Sequence, residues 1–190
     1  ALVAAAQRLQ GAFSFVLLTS EGEVVGIKDP TGFRPLCLGK LNGSYVLASE
    51  TCALDLVEAK FVRELEPGEI VIISDEGVRS LFIETPKRRT FCIFEFIYFA
   101  RPDSHFFGRN VYLTRKAHGR QLAKESPAEA DLVMPFPDSG NYAAIGYSEE
   151  AGIPFEMGMI RNHYVGRTFI QPTQSMRDFG VRVKLNPVKE

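Results

Sequence analysis

The sequence predicts an α+β fold followed by an α/β fold, on three observations. The first part consists of short apolar or alternating segments separated by turn signals, and a basic, proline-marked break follows it. Beyond the break, strand and helix patterns alternate. The first part therefore reads as an antiparallel sheet covered by helices, and the second as a parallel βαβ unit.

The elements follow in order. Ala1 to Gln10 is a helix closed by Gly11, whose apolar side needs a sheet to cover. Strands are expected at Phe13–Thr19, Glu23–Ile27, Pro35–Gly39, Ser44–Ser49, Glu69–Ser74 and Val78–Ile83. Asn42-Gly43 is a hairpin signal because a type I′ turn takes positive φ at both central residues, and Glu76-Gly77 closes a second hairpin. One helix interrupts the strands, through Cys52–Lys60, with Ser49 or Thr51 as its N-cap. Thr85-Pro86-Lys87-Arg88-Arg89-Thr90 marks the break, and the apolar Cys92–Phe99 after it reads as a strand. A helix over Tyr112–Ser126, a strand over Asp131–Met134, a turn over Pro135–Ser139, a helix through Ala143–Glu150 and a strand near Phe155–Ile160 complete the second part. The last 30 residues are polar and basic without clear periodicity. The boundaries are thus 1–88, a junction over 89–110, and 111–190, and both ends read as cuts from a longer chain.

Composition narrows the class. With 190 residues, 45% hydrophobic content and a net charge of −1, the chain is globular, and nothing in its charge balance calls for nucleic acid. No apolar run reaches the roughly 18 residues of a membrane span. Three cysteines, Cys37, Cys52 and Cys92, are odd in number and lack CxxC spacing, which argues against a secreted disulfide framework and for a reducing, cytoplasmic setting.

Three constellations could carry chemistry. Pro135-Phe136-Pro137-Asp138-Ser139-Gly140-Asn141 lies where a parallel strand ends and a helix begins, the usual ligand position in open α/β sheets. Helix N–H groups, a close backbone approach at Gly140 and the oxygens of Asp138 and Ser139 would suit an anion, a sugar or a hard metal ion. Equally, Asp138 or Ser139 could cap the helix. Arg161, Arg167, Arg177, Arg182 and Lys184 put five cations in one segment, which could close over a polyphosphate or be a solvated basic loop. Asp29-Pro30-Thr31-Gly32-Phe33-Arg34-Pro35 reads first as a turn, with Asp29 paired to Arg34 or bonded to the turn backbone. Cys92 alone reads as a small buried hydrophobe, and His105, His118 and His163 have no metal-ligand spacing.

Taken in order, Cys92-Ile93-Phe94-Glu95-Phe96-Ile97-Tyr98-Phe99-Ala100-Arg101-Pro102-Asp103-Ser104, Pro137-Asp138-Ser139 and Tyr164-Val165-Gly166-Arg167-Thr168-Phe169-Ile170-Gln171-Pro172 resemble the glutamine phosphoribosylpyrophosphate amidotransferases. Asp29-Pro30, Arg34-Pro35-Leu36 and Ala48-Ser49-Glu50 support the resemblance, which covers essentially the whole chain. It implies the later part of an Ntn-type αββα glutaminase domain joined to the early part of a type I phosphoribosyltransferase domain. The activity implied is the first step of purine biosynthesis, 5-phosphoribosylamine from phosphoribosylpyrophosphate and glutamine.

By matching positions, the resemblance implies substrate contacts at Arg161, Tyr164, Arg167 and Lys184, and a magnesium contact at Ser139; Asp138 is a substrate-binding candidate from its place in the turn before the helix. Cys92 matches a [4Fe-4S] ligand of one branch of that family, although a single thiolate cannot hold a cluster. The implied partners are phosphoribosylpyrophosphate, glutamine, purine nucleotide inhibitors and further copies in a homo-oligomer, with no nucleic acid or membrane. The family's nucleophilic cysteine, its glutamine-binding arginine and oxyanion-hole residues, and its Asp-Asp phosphoribosyl loop are absent from these 190 residues. The isolated chain is therefore expected to be inactive. The alternatives are a non-catalytic nucleotide-binding module and a structural interface piece built on Ile93–Phe99.

Overall fold

A computed structural model describes residues 1–83 and 89–189. The chain divides into two compact units, Ala1–Val111 and Tyr112–Glu190. The basic stretch Thr85–Arg88, and with it the boundary expected at 88, lies outside the described residues.

In the first unit α1 spans Leu2–Ala6, followed by β1 (Ser14–Leu18), β2 (Val24–Lys28), β3 (Cys37–Leu41), β4 (Ser44–Ala48), α2 (Thr51–Leu56), β5 (Lys60–Glu64), β6 (Glu69–Ser74) and β7 (Gly77–Phe82). Two antiparallel sheets result, ordered β1-β2-β6-β7 and β4-β3-β5. Strand alternation sorts their side chains into three layers of core. Val25, Ile27, Ile70 and Ile72 face α1 and pack with Ala6 and Phe13. The alternate residue Val71 faces the other sheet and meets Leu36, Leu38 and Leu65. Cys37 on the far side of β3 packs with Leu54 of α2 and with Ala59. The order is helix, sheet, sheet, helix. Each fully buried aliphatic side chain here, such as Val25 or Val71, contributes roughly 1.5–3 kcal/mol.

The sheets approach closely because β2 has no side chain at Gly26. A Cβ there would sit 2.8 Å from Leu47 of the facing sheet.

Several expectations need correction. The first helix stops at Ala6: Gln7 keeps helical backbone angles, but Arg8 and Leu9 donate to the Ala5 and Ala6 carbonyls only three residues back, and Gly11 at φ 90° belongs to the following loop. Neither Ser49 nor Thr51 caps α2: Thr51 is its first helical residue, and Glu50 holds the cap position without a side-chain cap bond. That helix ends early because Glu58 takes φ 58° while the Ala59 N–H reaches back to the Leu54 carbonyl. The freed chain becomes β5, a strand that the helical reading had absorbed. Asn42-Gly43 forms its two-residue turn with φ 49° and 91°, whereas in the second hairpin Asp75-Glu76 make the loop and Gly77 opens β7.

Residues 89–110 pack within the first unit. Thr90 and Cys92 donate their N–H groups to the carbonyls of Thr31 and Phe33. Cys92–Phe99 is not a strand, since Glu95–Phe99 forms one π-helical turn in which the Ala100 N–H reaches the Glu95 carbonyl at 3.3 Å. Helical spacing explains the change: Phe96 and Ala100, four residues apart, are buried together with Phe106 and Val111. A short hairpin, β8 (His105–Phe106) and β9 (Arg109–Asn110), ends the unit.

The second unit contains most of α3 (Val111–Glu125), then α4 (Asn141–Ala151), β10 (Met159–Arg161), α5 (Gln174–Lys184) and β11 (Leu185–Pro187). The strand expected over Asp131–Met134 is reduced to one parallel bridge, Val133 to Phe155, with α4 between its two sides. The strand expected near Phe155–Ile160 is split, its later part pairing antiparallel with β11 as β10. The final residues do have periodicity: Met176, Phe179 and Val183 recur at helical spacing after Thr173, whose hydroxyl accepts from the Met176 N–H at 3.3 Å.

Cys37 is buried between β3 and α2, where burial pushes its thiol up to about 12. All three cysteines are free thiols. Cys37 is therefore expected to stay unmodified by a thiol reagent at pH 8 until the chain unfolds, read by mass spectrometry of the labelled peptides. Labelling as fast as in denaturant would contradict this core position.

Candidate functional site

In the second unit the parallel bridge fixes where the loop before α4 begins. Val133 donates to the Pro154 carbonyl at 2.8 Å, and Glu156 donates to the Val133 carbonyl at 3.0 Å. Pro135 is fully buried and anchors the loop, while Phe136 and Ser139 face solvent. The Pro137-Asp138 peptide is cis. Gly140 is confined, since a Cβ would lie 3.0 Å from the Phe136 carbonyl oxygen. No side chain caps α4: Gly140 occupies the cap position, and Asn141 donates to the Asp138 main-chain carbonyl. The capping explanation for Asp138 and Ser139 is thus not realised.

Instead the Asp138 carboxylate accepts from Arg161 Nη1, joining the loop to β10. Arg161 pairs in register with Leu185 of β11, and the adjacent Asn162 donates its N–H to the Lys184 carbonyl at 2.7 Å. Lys184, the last residue of α5, turns its ammonium onto the Gly166 carbonyl at 3.0 Å. The segment between is held at both ends. Asn162 Oδ1 accepts from the Tyr164 N–H, and Arg177 Nη1 donates to the Gln171 carbonyl at 2.7 Å. Tyr164 and Arg167 at its tip face solvent, Tyr164 completely.

Three of the expected contact residues are therefore built into structure: Asp138 with Arg161, and Lys184 onto the segment that carries Tyr164 and Arg167. Asn162 and Arg177, which shape the segment, were not singled out for that role. The signal for Asn162 was an asparagine two residues before Tyr164, the spacing of an Asx turn.

The first unit holds a second polar constellation. Asp29, wholly buried, accepts from the N–H groups of Thr31 and Phe33 at 2.9 and 3.0 Å, so it pins its own turn rather than Arg34. Arg34 reaches instead to Glu95 at 3.1 Å and lies over the Phe99 ring at 4.9 Å. Burial pushes the Glu95 carboxyl above its usual range, and Arg34 offsets part of that. Glu50 accepts from the Arg101 N–H and the Ser104 hydroxyl at 2.9 and 2.8 Å. Arg34, Glu50, Glu95 and Phe99, together with Phe13 and Ser49, line a cavity of about 290 Å³.

The described residues include no group of three or more His, Cys, Asp or Glu arranged around a metal position. Ser139 offers one exposed hydroxyl, which fits magnesium only as a single ligand beside phosphate oxygens and water. Cys92 is buried, with the Arg34 guanidinium 4.0 Å from its sulfur, and among the described residues it belongs to no group of three or more His, Cys, Asp or Glu that could hold a metal. It does not by itself fit an iron–sulfur cluster. No helix among the described residues is long and apolar enough to cross a membrane.

This chain is similar to known proteins. Residues 1–56 match the glutamine amidotransferase domain family. The chloroplastic amidophosphoribosyltransferase of Glycine max is 54% identical over 188 residues, covering 98% of this chain and 33% of that protein. The amidophosphoribosyltransferase of Bacillus subtilis is 52% identical over 181 residues, covering 95% of this chain and 38% of that protein. The solved structure of the B. subtilis glutamine phosphoribosylpyrophosphate amidotransferase complexed with ADP and GMP superposes with a TM-score of 0.89 at 50% identity, over 98% of this chain and 41% of that one. The chain thus spans about a third of the length of the curated relatives it matches.

Proposed function

We propose that this chain, which belongs along its whole length to the amidophosphoribosyltransferase family, supplies the diphosphate-holding part of the enzyme that makes 5-phosphoribosylamine from phosphoribosylpyrophosphate and glutamine. In this reading Ala1–Val111 contributes the later part of an Ntn-type glutaminase domain, and Tyr112–Glu190 the early part of a type I phosphoribosyltransferase domain. The observation that carries it is the joining of Asp138 to Arg161, which brings the Pro137–Gly140 loop and the cationic segment to one place.

Ammonia released from glutamine displaces diphosphate from C1 of the ribose, so negative charge grows on the departing oxygens. Arg161, Arg167 and Lys184 supply cations for that charge. Tyr164, at the tip of the segment, covers the substrate when the segment moves, and the α4 N-terminus adds its positive dipole end. The Ser139 hydroxyl would be one ligand to a bound magnesium ion, which would help neutralise phosphate charge.

Titration of the chain with inorganic pyrophosphate is expected to shift the amide signals of Gly140 and Gly166 while leaving Gly26 and Gly39 unmoved. Unmoved Gly140 and Gly166 signals would refute the diphosphate reading. The chain alone is expected to release no pyrophosphate from phosphoribosylpyrophosphate and ammonia, because groups that act together are absent from its 190 residues. A second reading, purine-nucleotide binding by the same unit, is favoured by the nucleotides in the B. subtilis structure. GMP that shifts these signals where pyrophosphate does not would select it.

A further inference from the structure

We infer that Asp138 is a built-in competitor for Arg161: its carboxylate occupies the guanidinium that an incoming diphosphate must take over, and so sets how tightly the second unit holds that anion. The inference rests on the diphosphate reading above.

A carboxylate placed just before a helix usually turns to the free N–H groups of the first turn, where the dipole favours it. Asp138 does not. Only its main-chain carbonyl serves α4, through the Asn141 N–H, and its carboxylate reaches Arg161, 23 residues on. The cationic segment has little anion of its own. Between Met159 and Pro187 five arginines and lysines face one carboxylate, Asp178, which accepts from Gln174. Arg161 therefore takes its counter-charge from the loop that the ligand would occupy.

The pairing is incomplete, and that makes it exchangeable. Arg161 gives Asp138 a single Nη1 bond rather than the two parallel bonds of an arginine–carboxylate fork, and its Nε is buried without a hydrogen-bond partner. Both side chains are partly exposed, 30% for Arg161 and 45% for Asp138. A pair this exposed changes an equilibrium by no more than about fivefold, within reach of an anion that offers several oxygens at once.

The test is calorimetric titration of the 190-residue chain with inorganic pyrophosphate at fixed ionic strength, comparing the parent sequence with Asp138→Asn, Asp138→Glu and Arg161→Gln. Asp138→Asn is expected to bind about three- to fivefold more tightly. Asp138→Glu, which keeps the charge, is expected to stay near the parent affinity, and Arg161→Gln to lose most binding. If Arg161→Gln loses binding while Asp138→Asn binds no more tightly than the parent, the competitor role is wrong and the diphosphate reading stands. If the parent chain fails to bind, or Arg161→Gln binds equally well, the diphosphate reading fails and the inference goes with it.

Discussion

Substituting alanine for Gly119 is expected to unfold the second unit or destabilise it by about 3 kcal/mol, the upper end for overpacking, and Gly146→Ala should match it. At these two positions α3 and α4 cross with their backbones in contact. A Cβ on Gly119 would lie 1.8 Å from the Ala143 carbonyl oxygen, and one on Gly146 would lie 1.9 Å from that of Lys116. Neither obstacle is the end of a flexible side chain, so relief requires the helices to separate. Separation would also strain the contacts around the crossing, where Lys116 and Arg120 both reach Glu149 and the Tyr112 and Tyr142 rings meet edge to face at 5.4 Å. Because one displacement relieves both clashes, the double variant should lose less than the sum of the singles. Urea unfolding followed by tyrosine fluorescence reads this directly. Losses below about 0.5 kcal/mol for either single variant would mean that the helices do not cross here.

Arg63→Ala is expected to cost the first unit roughly 2–3 kcal/mol near neutral pH, somewhat below the range for a fully buried pair because Arg63 is 39% exposed. Its partner Glu69 is 1% exposed and takes two bonds from Arg63, at 2.7 and 2.6 Å, one from the Ser80 hydroxyl and one from the Glu66 N–H. Burial alone would raise the Glu69 carboxyl, but Arg63, Ser80 and the Glu66 N–H together bring it below the usual range. A carboxyl lowered by folding contributes stability above its unfolded value of about 4.3, and that contribution disappears as pH falls through the lower folded value. The parent chain should therefore lose stability from this group below about pH 4. In Arg63→Ala burial dominates, the carboxyl rises on folding, and acidification relieves the buried charge. The gap between the two proteins should narrow from pH 7 to pH 4, as measured by urea midpoints. A constant gap would show that Arg63 acts through packing rather than through the charge of Glu69.

Much of the fold was legible because it depends on local chemistry. Alternating apolar residues announced β1 to β4, β6 and β7, and Asn42-Gly43 could hardly serve another turn. The errors fell where a local pattern had two uses. Lys60 continued a helical pattern yet became the start of β5, because a left-handed Glu58 ends α2 and no residue type there forbids or demands it. Cys92–Phe99 had the apolarity of a strand, but burial of Phe96 and Ala100 against Phe106 and Val111 favoured one helical turn. The α5 helix was missed: Met176, Phe179 and Val183 carry its spacing, but the charges around them masked it.

The sequence by itself determined the antiparallel strands of the first unit, the free cysteines and the residues that carry the resemblance, since these follow from composition, period and residue identity at fixed spacing. Only the tertiary structure decided the partners of the charged groups. Asp29 turned to its own backbone, Arg34 to Glu95, and Asp138 to Arg161 instead of to the helix that begins three residues later. A charged side chain near a turn has several acceptable partners in sequence. The choice among them rests on which distant segment the packing of the core brings within hydrogen-bond reach.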